Sequence, residues 1–223
     1  MSDAQPAPHM AGGDLGPLEG RGKETLLEGL WYNNPIAVQV LGICPALAVT
    51  NKLSTSAVMA AAVFFVMTGT TTIVSSMRRI IPQRVRLMTQ MAIISTLVIL
   101  VDYYLKAFHF EISRQLGPYV ALIITNCTIL GRAEGFGLQN NVPLSALDGV
   151  SNALGYASVL LVLGATRELL GSGTLLGATV LHESWYEPNH LMILAPGAFI
   201  ALGFLVAAYK AIKGPEEEEE DTP

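Results

Sequence analysis

Apolar residues fall into six long blocks separated by short polar stretches. The first runs from Ile36 to Val49, 14 residues, between Asn33-Asn34-Pro35 and Thr50-Asn51-Lys52. The second, Thr55 to Met77, has 23 residues and no charge. The third, Leu87 to Leu105, holds a single acid, Asp102. The fourth, Pro118 to Leu130, is again short at 13 residues. The fifth, Gly149 to Thr166, and the sixth, Leu191 to Tyr209, have 18 and 19 uncharged residues. A straight helix needs roughly 20 apolar residues to cross about 30 Å of hydrocarbon. The pattern therefore predicts an all-α integral membrane protein with six transmembrane helices, the first and fourth of them short or broken.

Composition agrees. Hydrophobic residues make up 51% of the 223 and charged residues 14%, against about a quarter charged in soluble domains. The net charge of −5 comes from the tail, since Glu216 to Asp221 contribute six negatives. The near-neutral body gives no reason to expect nucleic acid as a partner. Residues 1–30 read as a leader, disordered over its first part, and residues 213–223 as an acidic tail. A short interfacial helix over 24–32 would end in Trp31 and Tyr32, which suit the headgroup level. The leader lacks an apolar core of the signal-peptide kind, so insertion is expected to use the internal spans.

Lysine and arginine set the orientation. With the loop carrying Arg78, Arg79, Arg84 and Arg86 in the cytoplasm, that side collects nine basic residues and the far side four, Lys52, Lys106, Arg114 and Arg167. Both termini are then cytoplasmic.

The membrane domain, 31–212, reads as two copies of one unit, 31–110 and 111–212. Pro35 precedes Cys44 by nine residues and Pro118 precedes Cys127 by nine; Leu47 and Leu130 follow by three. Each unit has three segments, an odd number, so the second enters from the opposite face. Short interrupted segments in matching positions of inverted repeats point to a functional centre. If each proline opens a helix, nine residues at 1.5 Å carry each cysteine about 13.5 Å inward, close to the midplane. Pro45 favours a break at Cys44, and Thr125-Asn126 with Gly131 a softer one at Cys127. Such breaks are tolerated at membrane depth only inside protein or around a site. Three readings of the cysteines stay open: small apolar filler, a disulfide, or metal ligation. Two thiolates do not complete an iron–sulfur site, which typically takes four, so ligation predicts a partner chain supplying two more.

Several stretches carry a family resemblance. Asn33-Asn-Pro-Ile-Ala-Val-Gln-Val-Leu-Gly-Ile-Cys44, Val101-Asp102, Leu122-Ile-Ile-Thr-Asn-Cys127, Gly131-Arg-Ala-Glu134, Gly155-Tyr156, Arg167-Glu-Leu169 and Trp185-Tyr-Glu-Pro-Asn189 together resemble the D subunits of sodium-translocating NADH:quinone oxidoreductases. The likeness covers about residues 30–212. It implies an enzyme subunit in the bacterial inner membrane, without a complete active site of its own. The family pairs with a paralogous E-type subunit, two cysteines from each holding a [2Fe-2S] cluster. Cys44 and Cys127 match the ligand positions. The cluster relays electrons between the F-type subunit and the flavin-bearing C-type subunit, in a complex that also contains a B-type subunit. NADH, flavins and ubiquinone bind to those other subunits, and Na⁺ is the transported ion. A carrier near the membrane middle halves a gap of about 30 Å. The E-type subunit of the ion-translocating ferredoxin:NAD⁺ complex shares the cysteine stretches; the Trp185–Asn189 stretch favours the quinone-reducing version. An inverted-repeat transporter and a cofactor-free scaffold are the alternatives from other classes.

Asp102 and Asp148 match acids that the resemblance links to sodium uptake. Each also has a structural reading: Asp102 pairs with Lys106 one helical turn on, and Asp148 opens the fifth helix. Arg132, Glu134, Arg167 and Glu168 are expected to form structural pairs. His182, Glu183, Glu187 and His190 lack metal-ligand spacing, and Tyr103, Tyr104, Trp185 and Tyr186 read as interface anchors.

Overall fold

A computed structural model describes residues 29, 34–78, 80–108, 110–175, 178–179 and 194–213. The expectations for the leader up to residue 28, for Trp31 and Tyr32, for the loop holding His182 to His190, and for the tail beyond residue 213 lie outside them.

The described chain is helical. Its helices are α1 (Ile43–Val49), α2 (Leu53–Met77), α3 (Arg86–Phe108), α4 (Phe110–Ile124), α5 (Cys127–Arg132), α6 (Val142–Ser172) and α7 (Ala195–Lys213). A single π turn, Ala133–Gly137, follows α5. A two-residue antiparallel ribbon, β1 (Thr174–Leu175) and β2 (Ala178–Thr179), sits beyond α6, with Thr174 opposite Thr179. α2, α3 and α6 are long and apolar enough to cross a membrane.

α2 and α6 form the central pair. Lipid tails are as apolar as leucine, so helices associate in membranes through close packing and polar contacts. Both are visible here. A Cβ on Gly149 would come within 2.4 Å of Thr71 Oγ1, and one on Gly164 within 2.6 Å of Ser56 Oγ. Met59, Val63, Val66 and Met67 of α2 and Tyr156, Leu160 and Leu163 of α6 are buried. α6 starts at Val142, with Asn141 as its N-cap and Pro143 in its first turn, and ends on Gly173, left-handed at φ 67, whose N–H donates to the Leu169 carbonyl. At 31 residues it is roughly 46 Å long. α3 is peripheral: it buries Gln90, Ile94 and Val98 but exposes Leu87, Met88, Ile99, Leu100 and Phe108. On a membrane protein such a face meets lipid or a neighbouring subunit.

Four local expectations are corrected. The first segment breaks ahead of Cys44 rather than at it, and not through Pro45: Val40 and Gly42 take positive φ, 56 and 73, and α1 starts at Ile43. Pro45 is simply the third residue of α1, where its missing N–H would have had no intrahelical partner. Pro35 opens a single turn instead of a helix, with the Asn34 side chain accepting from the N–H groups of Ile36 (3.1 Å) and Ala37 (3.3 Å). Pro118 lies inside α4, which already includes Phe110; the polar residues Glu111, Ser113, Arg114 and Gln115 hid this part of the helix from an apolar-run count. Asp148 does not open its helix, since α6 starts six residues earlier at Val142.

Candidate functional site

The two interrupted segments meet against α6. The second breaks at Thr125–Asn126, between α4 and α5. Asn126 is the N-cap of α5, its Oδ1 accepting from Thr128 N–H at 3.0 Å, the geometry that makes Asn a preferred cap. Cys127 is therefore the first residue of α5, and Cys44 the second of α1. Both cysteines are free and exposed on the surface of this chain.

One bond joins the two breaks. The Gly42 N–H donates to Cys127 Sγ at 2.9 Å. The Gly42 carbonyl in turn accepts from the Tyr156 hydroxyl at 3.1 Å. Consecutive Cα atoms are 3.8 Å apart, so the Cα of Cys44 is at most about 7.6 Å from that of Gly42. Gly42 cannot be replaced without disturbance: its φ is +73, and a Cβ would meet Thr128 Oγ1 at 2.4 Å and Tyr156 Cε2 at 2.7 Å.

α6 supplies the frame with a stripe at helical spacing: Asp148, Asn152, Tyr156 and, further on, Arg167. Asp148 is buried and forms a two-point ion pair with Arg132, the last residue of α5. Arg132 Nε donates to Oδ2 at 3.1 Å and Nη2 reaches Oδ1. Asn152 Nδ2 donates to the same carboxylate at 2.9 Å. At the other end Arg167 Nη1 donates to the Leu47 carbonyl (3.1 Å) and to Thr50 Oγ1 (2.7 Å), tethering the end of α1. Glu168 Oε2 accepts from Leu53 N–H at 2.6 Å, serving the first turn of α2. Arg86 pairs with Glu134. Of the four residues expected to pair, Arg132 and Glu134 form ion pairs, while Arg167 and Glu168 hydrogen-bond neutral groups at the ends of α1 and α2.

Asp102 pairs with Lys106 at 2.6 Å, one turn along α3. This pair is on the outside of the bundle, the Lys106 side chain 54% exposed. The two acids are in unlike settings: the Asp148 side chain, 2% exposed, is part of the interior frame, whereas the Asp102 side chain, 20% exposed, is partly covered and paired with a lysine that reaches the surface. Tyr103 and Tyr104 are exposed, as anchors would be, with the Lys106 ammonium 5.8 Å from the Tyr103 ring centre.

Among the described residues, no three His, Cys, Asp or Glu side chains gather as a metal site. Thr128 Oγ1, beside Cys127, is buried without a hydrogen-bond partner.

Residues 23–206 match the family model described as Rnf-Nqr subunit, membrane protein. The chain belongs to the Rnf-Nqr family. A relative in Serratia proteamaculans (strain 568), the D subunit of its Na(+)-translocating NADH-quinone reductase, is 48% identical over 202 residues, 89% of this chain and 97% of the relative. That relative belongs to an enzyme complex, and the likeness runs through both interrupted segments. Sequence patterns marked Asn126 only as part of a softened break, and did not single out Gly42, Asn152 or Tyr156. The i, i+4 recurrence of Asp148, Asn152 and Tyr156 in an otherwise apolar helix was the available signal for three of the frame residues.

Proposed function

We propose that this chain is the D-type membrane subunit of a sodium-pumping NADH:ubiquinone reductase, in which Cys44 and Cys127 supply half the ligands of an intramembrane [2Fe-2S] cluster. The other half comes from a paralogous E-type subunit, and the B-, C- and F-type subunits complete the complex in the bacterial inner membrane. The six segments form two inverted three-segment repeats with both termini in the cytoplasm. Arg78 donating to the Gln139 and Asn140 carbonyls, and Arg86 pairing with Glu134, support this orientation by gathering the arginine-rich connections at one end.

The observation that carries the reading is the bond from Gly42 N–H to Cys127 Sγ, which draws the two cysteine-bearing breaks together. The residues present fit half a cluster: two exposed thiols, one already accepting an N–H, with the orphaned Thr128 hydroxyl beside it. Two thiols exposed to a neighbour suit an intersubunit site better than a disulfide or filler. When bound, the cluster supplies one-electron redox chemistry. The chain's own residues hold it: α1 and α5 present the sulfurs, Tyr156 and Asn126 fix the backbone around them, and the Asp148–Arg132 pair locks α5 to α6.

Sodium passage past Asp102 or Asp148 requires the partner Lys106 or Arg132 to be displaced, because both acids are paired. Asp102 is the more readily released, because its partner Lys106 is 54% exposed whereas Arg132 is 14% exposed.

Iron and acid-labile sulfide in the purified complex test the reading. Cys44→Ala and Cys127→Ala are each expected to abolish the cluster signal while the complex assembles. Full iron and unchanged quinone reduction in both variants would leave a transporter or scaffold role instead.

A further inference from the structure

The Gly42 peptide is clamped on several sides. Its carbonyl holds the Tyr156 hydroxyl at 3.1 Å. Its α-carbon faces Thr128 Oγ1, the Tyr156 ring and Asn126 Oδ1 so closely that a Cβ would lie 2.4, 2.7 and 3.1 Å from them. Its N–H is spent on Cys127 Sγ at 2.9 Å. Tyr156 is itself wholly buried on α6, and α6 is tied to α5 through Asp148 and Arg132. One rigid helix thus controls both the sulfur and the N–H that points at it. Just upstream, Val40 is held at φ 56, a conformation unfavourable for a β-branched residue and one that only a surrounding structure can maintain.

We propose that Tyr156 is a positioning residue: by holding the Gly42 peptide it aims the N–H at Cys127 Sγ and thereby raises the reduction potential of the electron carrier bound there. The inference rests on the reading of Cys127 as a cluster ligand. A one-electron reduction adds negative charge to the carrier and its thiolates. A donor aimed at one of those sulfurs stabilises the reduced form more than the oxidised form, because hydrogen bonds to charged acceptors strengthen with charge, and hydrogen bonds to sulfur are among the determinants of cluster potential. The electron comes from, and returns to, redox centres of neighbouring subunits. Tyr156 itself is neither oxidised nor deprotonated.

The test uses the intact complex with Tyr156→Phe, which keeps the ring and removes the hydroxyl. An EPR-monitored redox titration is expected to show the reduction equilibrium weakened about tenfold, a midpoint about 59 mV lower for one electron. Pulsed EPR on complex labelled with ¹⁵N-glycine is expected to show a nitrogen coupling that the variant weakens. Leu160→Val, one turn along α6 in the buried core, controls for loosened packing and is expected to leave the midpoint alone. Both readouts concern loaded clusters, so reduced occupancy does not blur them. A Tyr156→Phe midpoint and ¹⁵N coupling equal to wild type would overturn the proposal while leaving the cluster in place. Absence from the wild-type complex of any signal that Cys127→Ala removes would instead overturn the ligand reading beneath it.

Discussion

The two interrupted segments carry cysteines in the same register, yet they break by different means. The first, around Gly42, breaks in the backbone: Val40 and Gly42 both take left-handed φ, and the turn before them hangs on Asn34. The second, at Thr125–Asn126, breaks with ordinary backbone and a side-chain cap, Asn126 at φ −69. The ends differ too. α1 is tied off through neutral acceptors, the Leu47 carbonyl and Thr50 Oγ1, by Arg167; α5 ends in a buried ion pair with Asp148. The same register is thus reached through strain on one side and through charge on the other. What they share is α6, whose residues hold both.

Substitutions that attack one device and spare the other sharpen the contrast. The largest effect is expected from Arg132→Ala, which strands the Asp148 carboxylate in the interior. Removing one partner of a buried pair costs about 3–5 kcal/mol, and thermal unfolding of the complex in detergent would register it; an unchanged transition would mean that Asp148 finds another partner. Gly42→Ala comes next. The left-handed backbone and the overlap with Thr128 and Tyr156 together are expected to cost about 1–3 kcal/mol, whereas Thr125→Ala, at the other break, is expected to stay within about 0.5 kcal/mol. Equal effects at the two sites would erase the distinction between a strained and an unstrained break. Asn126→Ala removes the cap of α5, worth about 1 kcal/mol, and is expected to lower cluster occupancy more than overall stability. The smallest effect belongs to Lys106→Ala on the outer face: no measurable shift in unfolding. A change in the sodium dependence of turnover in that variant would move Asp102 from surface pairing to the ion path.

Much of this architecture was legible along the chain. Long uncharged runs placed α2, α3 and α6, because apolar length is a bilayer requirement that no tertiary contact overrides. Matched cysteine spacing marked the first and fourth segments as interrupted. The pair Asp102–Lys106 followed from the i, i+4 spacing of two charges that membranes do not leave alone, whereas the partner of Glu134, Arg86, was visible only in the structure. The position of the first break did not follow. Pro45 was the obvious breaker, but a proline in a helix's first turn breaks nothing, and a valine at positive φ leaves no mark in the sequence. Nor did Pro118 reveal that α4 runs on past it, since its polar residues end the apolar run without ending the helix.

Sequence alone determined a multi-span helical membrane protein with two short cysteine-bearing segments, because length, polarity and spacing are local properties. Only the tertiary structure decided which atoms meet: that Gly42 faces Cys127 across 85 positions, that Tyr156 steadies it, and that Asp148 belongs to Arg132. Those contacts depend on how close α2 and α6 approach at their small residues, and on a backbone conformation at residues 40–42 that is strained in isolation and held by what packs around it.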